Sequence, residues 1–409
     1  MKTRFSKLLI GAVTLSLAIA APLTAVAKDR ARDLGVPFLG KTGPLNAITD
    51  VAGVEVGHAT IIKGKGKLRR GHGPVRTGVT AIHPRGKTST EPVFGAWFTL
   101  NASGEMTGTT WLEERGVVDG PILITNTHSV GIVRDAAVEW MVDKGWSEDW
   151  HVPITAETYD GFFSDINGFH VKKKHAFDAM RSAQSGPVIE GAVGGGTGMV
   201  CNEFKGGIGT SSRLVTVDGN TYTVGVLVQC NYGSRTDLKR IADVPVKELH
   251  EVSMPCFEDP RLRQDFSWGS YPACKENSLP EQDGGPDGSI IIVVATDALL
   301  LPHQLKRVAK RPSLGLGWLG AVSNDGSGDI FIAFSTAQTG KISENNVSTS
   351  LSMYPNNRLT PIFDATVQAT EEAVVNAMVA AETMTGANSL TLFELPEDKL
   401  RAIMDNHNK

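Results

Sequence analysis

Residues 289–296 read Ser-Ile-Ile-Ile-Val-Val-Ala-Thr, with Asp297 after them. A run this apolar and this rich in β-branched side chains, without polar alternation, is a strand buried on both faces. Such a strand needs apolar layers above and below it, which demands a layered fold. Its approach, Asp283-Gly284-Gly285-Pro286-Asp287-Gly288, is loose and polar. Ser289 therefore stands at the mouth of a core strand, behind a glycine. If the Gly288–Ser289 bond were cut, Ser289 would carry a hydroxyl and a free amine on one residue. That unites a nucleophile with its own proton acceptor. The plain alternative is an Asp-Gly-Ser turn leading into a strand.

The chain opens with Lys2, Arg4 and Lys7, then an apolar run over 8–21, then Ala25-Val26-Ala27. A basic start, a short apolar middle and an A-x-A site make a secretory signal peptide, with removal expected after Ala27. The run is short for a membrane anchor, and no later segment is long and apolar enough to span a bilayer. A periplasmic or secreted protein without a stable membrane anchor is expected. The formal net charge is −4. Losing the three cations of 1–27 leaves −7 for 28–409 (−4 − 3), with no basic stripe to suit nucleic acid.

Four cysteines, Cys201, Cys230, Cys256 and Cys274, allow three pairings in an oxidising compartment. Cys256 and Cys274 share one irregular segment and are the best candidates for a bridge. Cys201 and Cys230 sit in apolar contexts that also suit plain buried thiols. No Cys/His spacing resembles a zinc site, so no metal is expected.

Strands are expected at 51–60, 79–83, 92–100, 122–125, 153–158 and 330–335, and helices at 132–144, 170–184 and 303–311. The basic loop 63–70 reads as a hairpin tip. Glycine-rich 191–198 lacks both phosphate-loop registers and reads as close backbone packing. Residues 213–217 and 222–228 flank Asp218-Gly219-Asn220 as a hairpin. Residues 248–287 show no period and read as a long loop around Phe257, Phe266, Trp268 and Tyr271. The longest helix starts at Thr360-Pro361, with Thr360 as cap, and ends by Gly386. Grouped strands with long helices between them argue for layered α/β with a mixed sheet.

An N-terminal serine needs a base, holders for its amine and hydroxyl, and donors for an oxyanion. Its own amine, with an unperturbed pKa of about 7.7–8.0, can be the base. Ser327 and Asp329 lie two apart in an extended segment and face one side. Asn231, past an apolar run, is a neutral amide suited to an oxyanion hole. Glu157 can pair with a substrate ammonium, and Tyr159 can donate to a tetrahedral oxygen. Each, taken singly, also reads as an ordinary turn former or satisfied polar group.

Taken together, the blocks resemble a known family. They are 124–131 (Ile-Thr-Asn-Thr-His-Ser-Val-Gly), 156–161 (Ala-Glu-Thr-Tyr-Asp-Gly), 194–199, 203–210 (Glu-Phe-Lys-Gly-Gly-Ile-Gly-Thr), 225–229, 287–296 and 327–329. In this order they are similar to the DmpA-type aminopeptidases, the L-aminopeptidase/D-esterase/amidases and β-peptidyl aminopeptidases of peptidase family S58. The likeness runs from about residue 33 to 386. It implies an αββα four-layer sandwich, Ntn-hydrolase-like in its layers and shared with ornithine acetyltransferases. It implies self-cleavage at Gly288–Ser289 into an α chain, 28–288, and a β chain, 289–409. Ser289 would be the nucleophile, Ser327 and Asp329 its partners, Asn231 the oxyanion amide, Tyr159 the active-site tyrosine and Glu157 the ligand of the substrate's amino group. The substrate would be a small peptide, amide or ester with a free amine. No cofactor or metal is implied, and homo-oligomers of αβ units, often tetramers, are. The 250–285 segment departs from the family pattern and leaves pocket shape open.

Two other readings compete. One is an ornithine acetyltransferase-like acyl transferase, against which stand the serine nucleophile and the export signal. The other is a non-catalytic exported binding protein whose chain stays whole.

Overall fold

The computed structural model describes residues 28–146, 149–266, 269–276, 288–340, 342 and 349–407. The expected signal peptide, Trp268, Asp287 and most of the approach to Gly288 lie outside the described residues.

Ten strands form two sheets. They are β1 (Glu55–Lys63), β2 (Val75–His83), β3 (Val93–Ala102), β4 (Val117–Val118), β5 (Ile122–Asn126), β6 (Ile154–Thr158), β7 (Gly207–Val217), β8 (Asn220–Asn231), β9 (Ser289–Thr296) and β10 (Gly328–Ser335). One sheet has the order β1-β2-β5-β6, the other β4-β3-β10-β9-β8-β7. Pairing is antiparallel except between β5 and β6 and between β9 and β10. Helices α1 (Val130–Asp143) and α2 (Lys173–Ser182) cover the first sheet through Ala137, Trp140, Phe177 and Met180. Helix α3 (Pro302–Ala309) covers the second through Leu305 and Val308, and α4 (Pro312–Leu319) packs on α5 (Thr360–Val379), which covers the same sheet through Val374. The stack is therefore helix, sheet, sheet, helix, the αββα sandwich implied by the motif blocks.

β9 is central, and its sequence explains why. Ile290, Ile292 and Val294 point into the core under the helices, while Ile291, Val293 and Ala295 enter the core between the sheets. All eight residues of the strand are buried. Each large side chain so buried contributes about 1.5–3 kcal/mol. A polar residue on either face would leave an unpaired group in a dry layer.

Several expectations shift. The hairpin is longer on both arms than 213–228, and its turn carries positive φ at Asp218 and Gly219, as a two-residue hairpin turn requires. The 191–198 stretch is close packing: a Cβ on Gly196 would lie 2.6 Å from Ile208 N, and one on Gly198 2.3 Å from Arg76 O. Thr360 is not the cap of α5. Leu359 holds that position without a side-chain bond, and the helix ends at Val379, seven residues before Gly386. Helix α4 has no counterpart in the sequence reading, because Gly315 and Gly317 conceal it. Cys201 and Cys230 are bonded to each other, with Cα atoms 5.5 Å apart, so the buried-thiol reading is corrected. Cys256 and Cys274 form the other bridge. Their segment is no plain loop: Cys256–Phe257 pairs with Leu390–Leu392, and Asp265–Phe266 with Gly269–Ser270.

Candidate active site

Strand direction gathers the site. Because β9 and β10 run parallel, both begin at one edge of their sheet, and antiparallel β8 ends there. Ser289 faces Asn231 in the β8–β9 ladder, and Ile290 faces Asp329 in the β9–β10 ladder. β5 and β6 of the other sheet end beside the same edge. Gln229 ties the sheets there, donating its Nε2 to Thr125 O at 3.1 Å and Thr158 Oγ1 at 2.8 Å.

Ser289 is buried, and its Oγ accepts a hydrogen bond from Gly328 N at 3.1 Å. Ser327 donates to Asp329 Oδ2 at 2.8 Å and accepts from Asn101 Nδ2 at 3.1 Å. With a donor and an acceptor both assigned, its hydroxyl is held in one orientation. Asn101 reaches Ser327 through a β-bulge: opposite Asp329 and Ile330, β3 presents Asn101 and then Thr99. Bulges re-aim side chains in this way. Burial raises the Asp329 pKa above its usual range, against the hydrogen bonds from Ser323, Ser327 and the Ile290 backbone.

The Asn231 amide is fixed at both ends. Its Oδ1 accepts from Val200 N at 2.9 Å, and its Nδ2 donates to Tyr159 O at 3.1 Å. One Nδ2 hydrogen remains. Gly288 has no room for a side chain: a Cβ there would lie 1.9 Å from Asn231 O.

Across the gap, Glu157 stands one residue before the end of β6. Its Oε1 accepts from Glu105 N at 2.8 Å and its Oε2 from Thr127 Oγ1. Burial raises its pKa, and those two hydrogen bonds oppose the rise. Ser289, Glu157 and Tyr159 line one cavity of about 1020 Å³, together with Glu105, Phe162 and Phe266. Tyr159 is 46% exposed, with its ring 6.2 Å from Phe162. Its hydroxyl lies over Gly161, where an added Cβ would meet it at 2.3 Å. Burial, then Asp160, raises its pKa. The structure thus brings Ser289, Asn231 and Asp329 together in the β8–β9–β10 ladder, with Ser327 just before it bonded to Asp329, and sets Glu157 and Tyr159 across the same cavity. No hydrogen bond links the Tyr159 hydroxyl to that ladder among the described residues.

Asn101, Thr127 and Asp160 escaped the sequence reading. Asp160 is wholly buried, and both its oxygens accept from Asn126 Nδ2, at 3.1 and 3.0 Å. Burial pushes its pKa up to about 7. Thr127 and Asp160 lie inside the motif blocks 124–131 and 156–161, a signal that could have found them. Asn101 depends on the bulge and leaves no local trace. Among the described residues no group of His, Cys, Asp and Glu could hold a metal ion, and no helix is long and apolar enough to cross a membrane.

A serine that opens a doubly buried strand, at the edge where two sheets of an αββα stack meet, defines a hydrolase of the N-terminal nucleophile class. The comparisons with known proteins agree. The family described as Peptidase family S58 matches residues 46–392. β-Peptidyl aminopeptidase BapA of Sphingosinicella microcystinivorans is 56% identical over 380 residues, 93% of each chain. The protein of the same name from Sphingosinicella xenopeptidilytica is 43% identical over 413 residues, 98% of each chain. The L-aminopeptidase D-Ala-esterase/amidase of Ochrobactrum anthropi, described as a prototype for the serine aminopeptidases and a variant of the Ntn hydrolase fold, superposes with a TM-score of 0.79. It is 43% identical, and the match covers 93% of this chain and 99% of that one. The chain belongs to peptidase family S58, as a serine-type aminopeptidase/amidase.

Proposed function

We propose that this aminopeptidase cuts its own chain between Gly288 and Ser289 and then uses Ser289 as an N-terminal nucleophile. The observation that carries the reading is the hydrogen bond from Gly328 N to Ser289 Oγ, beside the Ser327–Asp329 pair. In processing, Ser289 Oγ attacks the Gly288 carbonyl carbon and the Ser289 nitrogen leaves as an amine. Water then opens the resulting ester. Gly288 keeps a carboxylate, and Ser289 regains its hydroxyl beside a free amine. In turnover, that amine takes the hydroxyl proton as Oγ attacks the carbonyl of the substrate's N-terminal residue. Asn231 donates to the oxyanion, Tyr159 assists from across the cavity, and the proton passes to the departing amine. Water hydrolyses the acyl-enzyme. Ser327 and Asp329 hold the Ser289 terminus, and Glu157 pairs with the substrate's ammonium. The names of the two Sphingosinicella relatives support β-amino acids among the accepted N-terminal residues. The basic–apolar–A-x-A leader supports export and removal of 1–27, and the family likeness supports oligomers of αβ units.

Hydrolysis of amino-acid and β-amino-acid p-nitroanilides tests the reading. The wild type releases nitroaniline from free-amine substrates and Ser289→Ala does not. Undiminished activity in Ser289→Ala would overturn the assignment of the nucleophile.

A further inference from the structure

The 256–274 segment reads from sequence as an irregular loop, yet it supplies one wall of the catalytic cavity. Gln264, Asp265 and Phe266 face into the space that Ser289 and Glu157 line. The geometry points to Phe266 as the residue that decides which side chain is accepted on the substrate's N-terminal residue. It favours an amine that bears an aromatic or branched apolar group beside the scissile carbonyl. This inference rests on the proposed function and adds a specificity element to it.

Phe266 is not a loose cap. Its ring meets Phe162 edge-on at 6.4 Å, stacks on Phe257 at 6.5 Å and meets Tyr271 edge-on at 6.5 Å. Phe257 and Tyr271 are buried in a separate small core with Phe163, Leu390 and Leu392. Tyr271 donates its hydroxyl to Glu203 Oε1 at 3.2 Å, and Glu203 Oε2 accepts from Arg235 N at 2.8 Å. The Cys256–Cys274 bridge closes the segment, with Cα atoms 4.9 Å apart, and Cys256 pairs with Thr391 in a short ladder. Asn388 Nδ2 holds Gln264 Oε1 at 2.8 Å. The wall is built before substrate arrives, so its ordering cost falls on folding rather than on binding.

Its place identifies the part of the substrate it touches. Glu157, Tyr159 and Phe162 belong to one stretch at the end of β6, and Phe266 packs on Phe162. The apolar wall and the carboxylate that takes the ammonium therefore line the same cavity. The ammonium belongs to the N-terminal residue, so that residue's side chain meets the wall, whatever the leaving group. Glu105 and Asp265 keep the rest of the lining acidic, which suits a cationic ligand.

The test is a p-nitroanilide series varying the N-terminal side chain from hydrogen through isobutyl to benzyl, alongside a series with one benzyl residue and varied leaving groups. For Phe266→Ala, kcat/KM should fall roughly ten- to hundredfold for isobutyl and benzyl, chiefly through KM, and little for hydrogen. Phe266→Leu should retain most of the preference. An equal loss for every side chain, or a loss that follows the leaving group, would overturn the inference. Calorimetric binding of phenylalaninol and alaninol to the wild type and Phe266→Ala separates this idea from the one beneath it. A benzyl preference that vanishes in Phe266→Ala upholds the wall even if the wild type proves to be an unprocessed chain. No benzyl preference in the wild type sinks the wall even if processing and hydrolysis proceed as proposed.

Discussion

Ser327 donates its hydroxyl to Asp329 Oδ2 at 2.8 Å, across the one glycine whose N–H is bonded to Ser289 Oγ. Gly328, the first residue of β10, thus holds the hydroxyl that opens β9, between the two residues of the pair. Asp329→Asn keeps the shape but removes the charge that orders Ser327, and Ser327→Ala removes the hydroxyl itself. Both variants are expected to slow hydrolysis and self-cleavage together, by about 10²–10⁴, the range of general acid–base assistance. Single-turnover rates and the half-time of band conversion on denaturing gels measure the two. A variant impaired in one reaction alone would mean that this pair does not serve both.

Glu157 is expected to discriminate by charge. Glu157→Gln should bring free-amine and N-acetylated substrates to similar kcat/KM, where the wild type prefers the free amine. The pH profile follows from burial, which raises the Glu157 pKa. Ionised Glu157 is present above that pKa, so pairing with ammonium is lost as pH falls through it. In Glu157→Gln this acidic limb should disappear. The limb from the Ser289 amine, near about 7.7–8.0 if unperturbed, should remain. An acidic limb that survives unchanged contradicts the role.

Gly288 is confined by backbone. A methyl group there would lie 1.9 Å from Asn231 O and 2.5 Å from Tyr232 Cα. Gly288→Ala must shift the bond to be cut relative to Ser289 Oγ, and misplacement of about 1 Å can cost 10²-fold. The variant is expected to accumulate as precursor, measured as the fraction of uncut chain over time after purification. Processing at the wild-type rate would show that the bond tolerates displacement.

Asp160 offers a test of stability. Its folded pKa is about 7 against 3.8 for the unconstrained group, so between those values the folded state binds more protons. Its contribution is fully present below about pH 4 and is lost as pH rises through about 7. The slope cannot exceed about 1.4 kcal/mol per pH unit. Asp160→Asn should flatten the fall of melting temperature between about pH 4 and 7. An unchanged slope would mean that Asp160 does not titrate there.

Much of this site was legible before the fold. The 289–296 run could only be a core strand, and the structure starts β9 at Ser289 itself. The spacing of Ser327 and Asp329 put both on one side of an extended segment, and the two side chains are hydrogen-bonded. What stayed hidden depends on contacts between distant segments. Asn101 reaches Ser327 only through a bulge, and Thr127 meets Glu157 only because β5 and β6 are parallel neighbours. Cys201 and Cys230 sit in apolar contexts whether bonded or free, so local sequence cannot distinguish the two. Phe266 joins the cavity because Phe257 pairs with Leu390, a partner 133 residues away (390 − 257). Periodicity cannot register a pair of that kind.

The most direct measurement is the intact mass of the purified, active protein, together with N-terminal sequencing of any fragment. Self-cleavage yields two polypeptides, one ending at Gly288 and one beginning Ser289-Ile290-Ile291-Ile292. A fully active protein that is a single unbroken chain through residues 288 and 289 would contradict it.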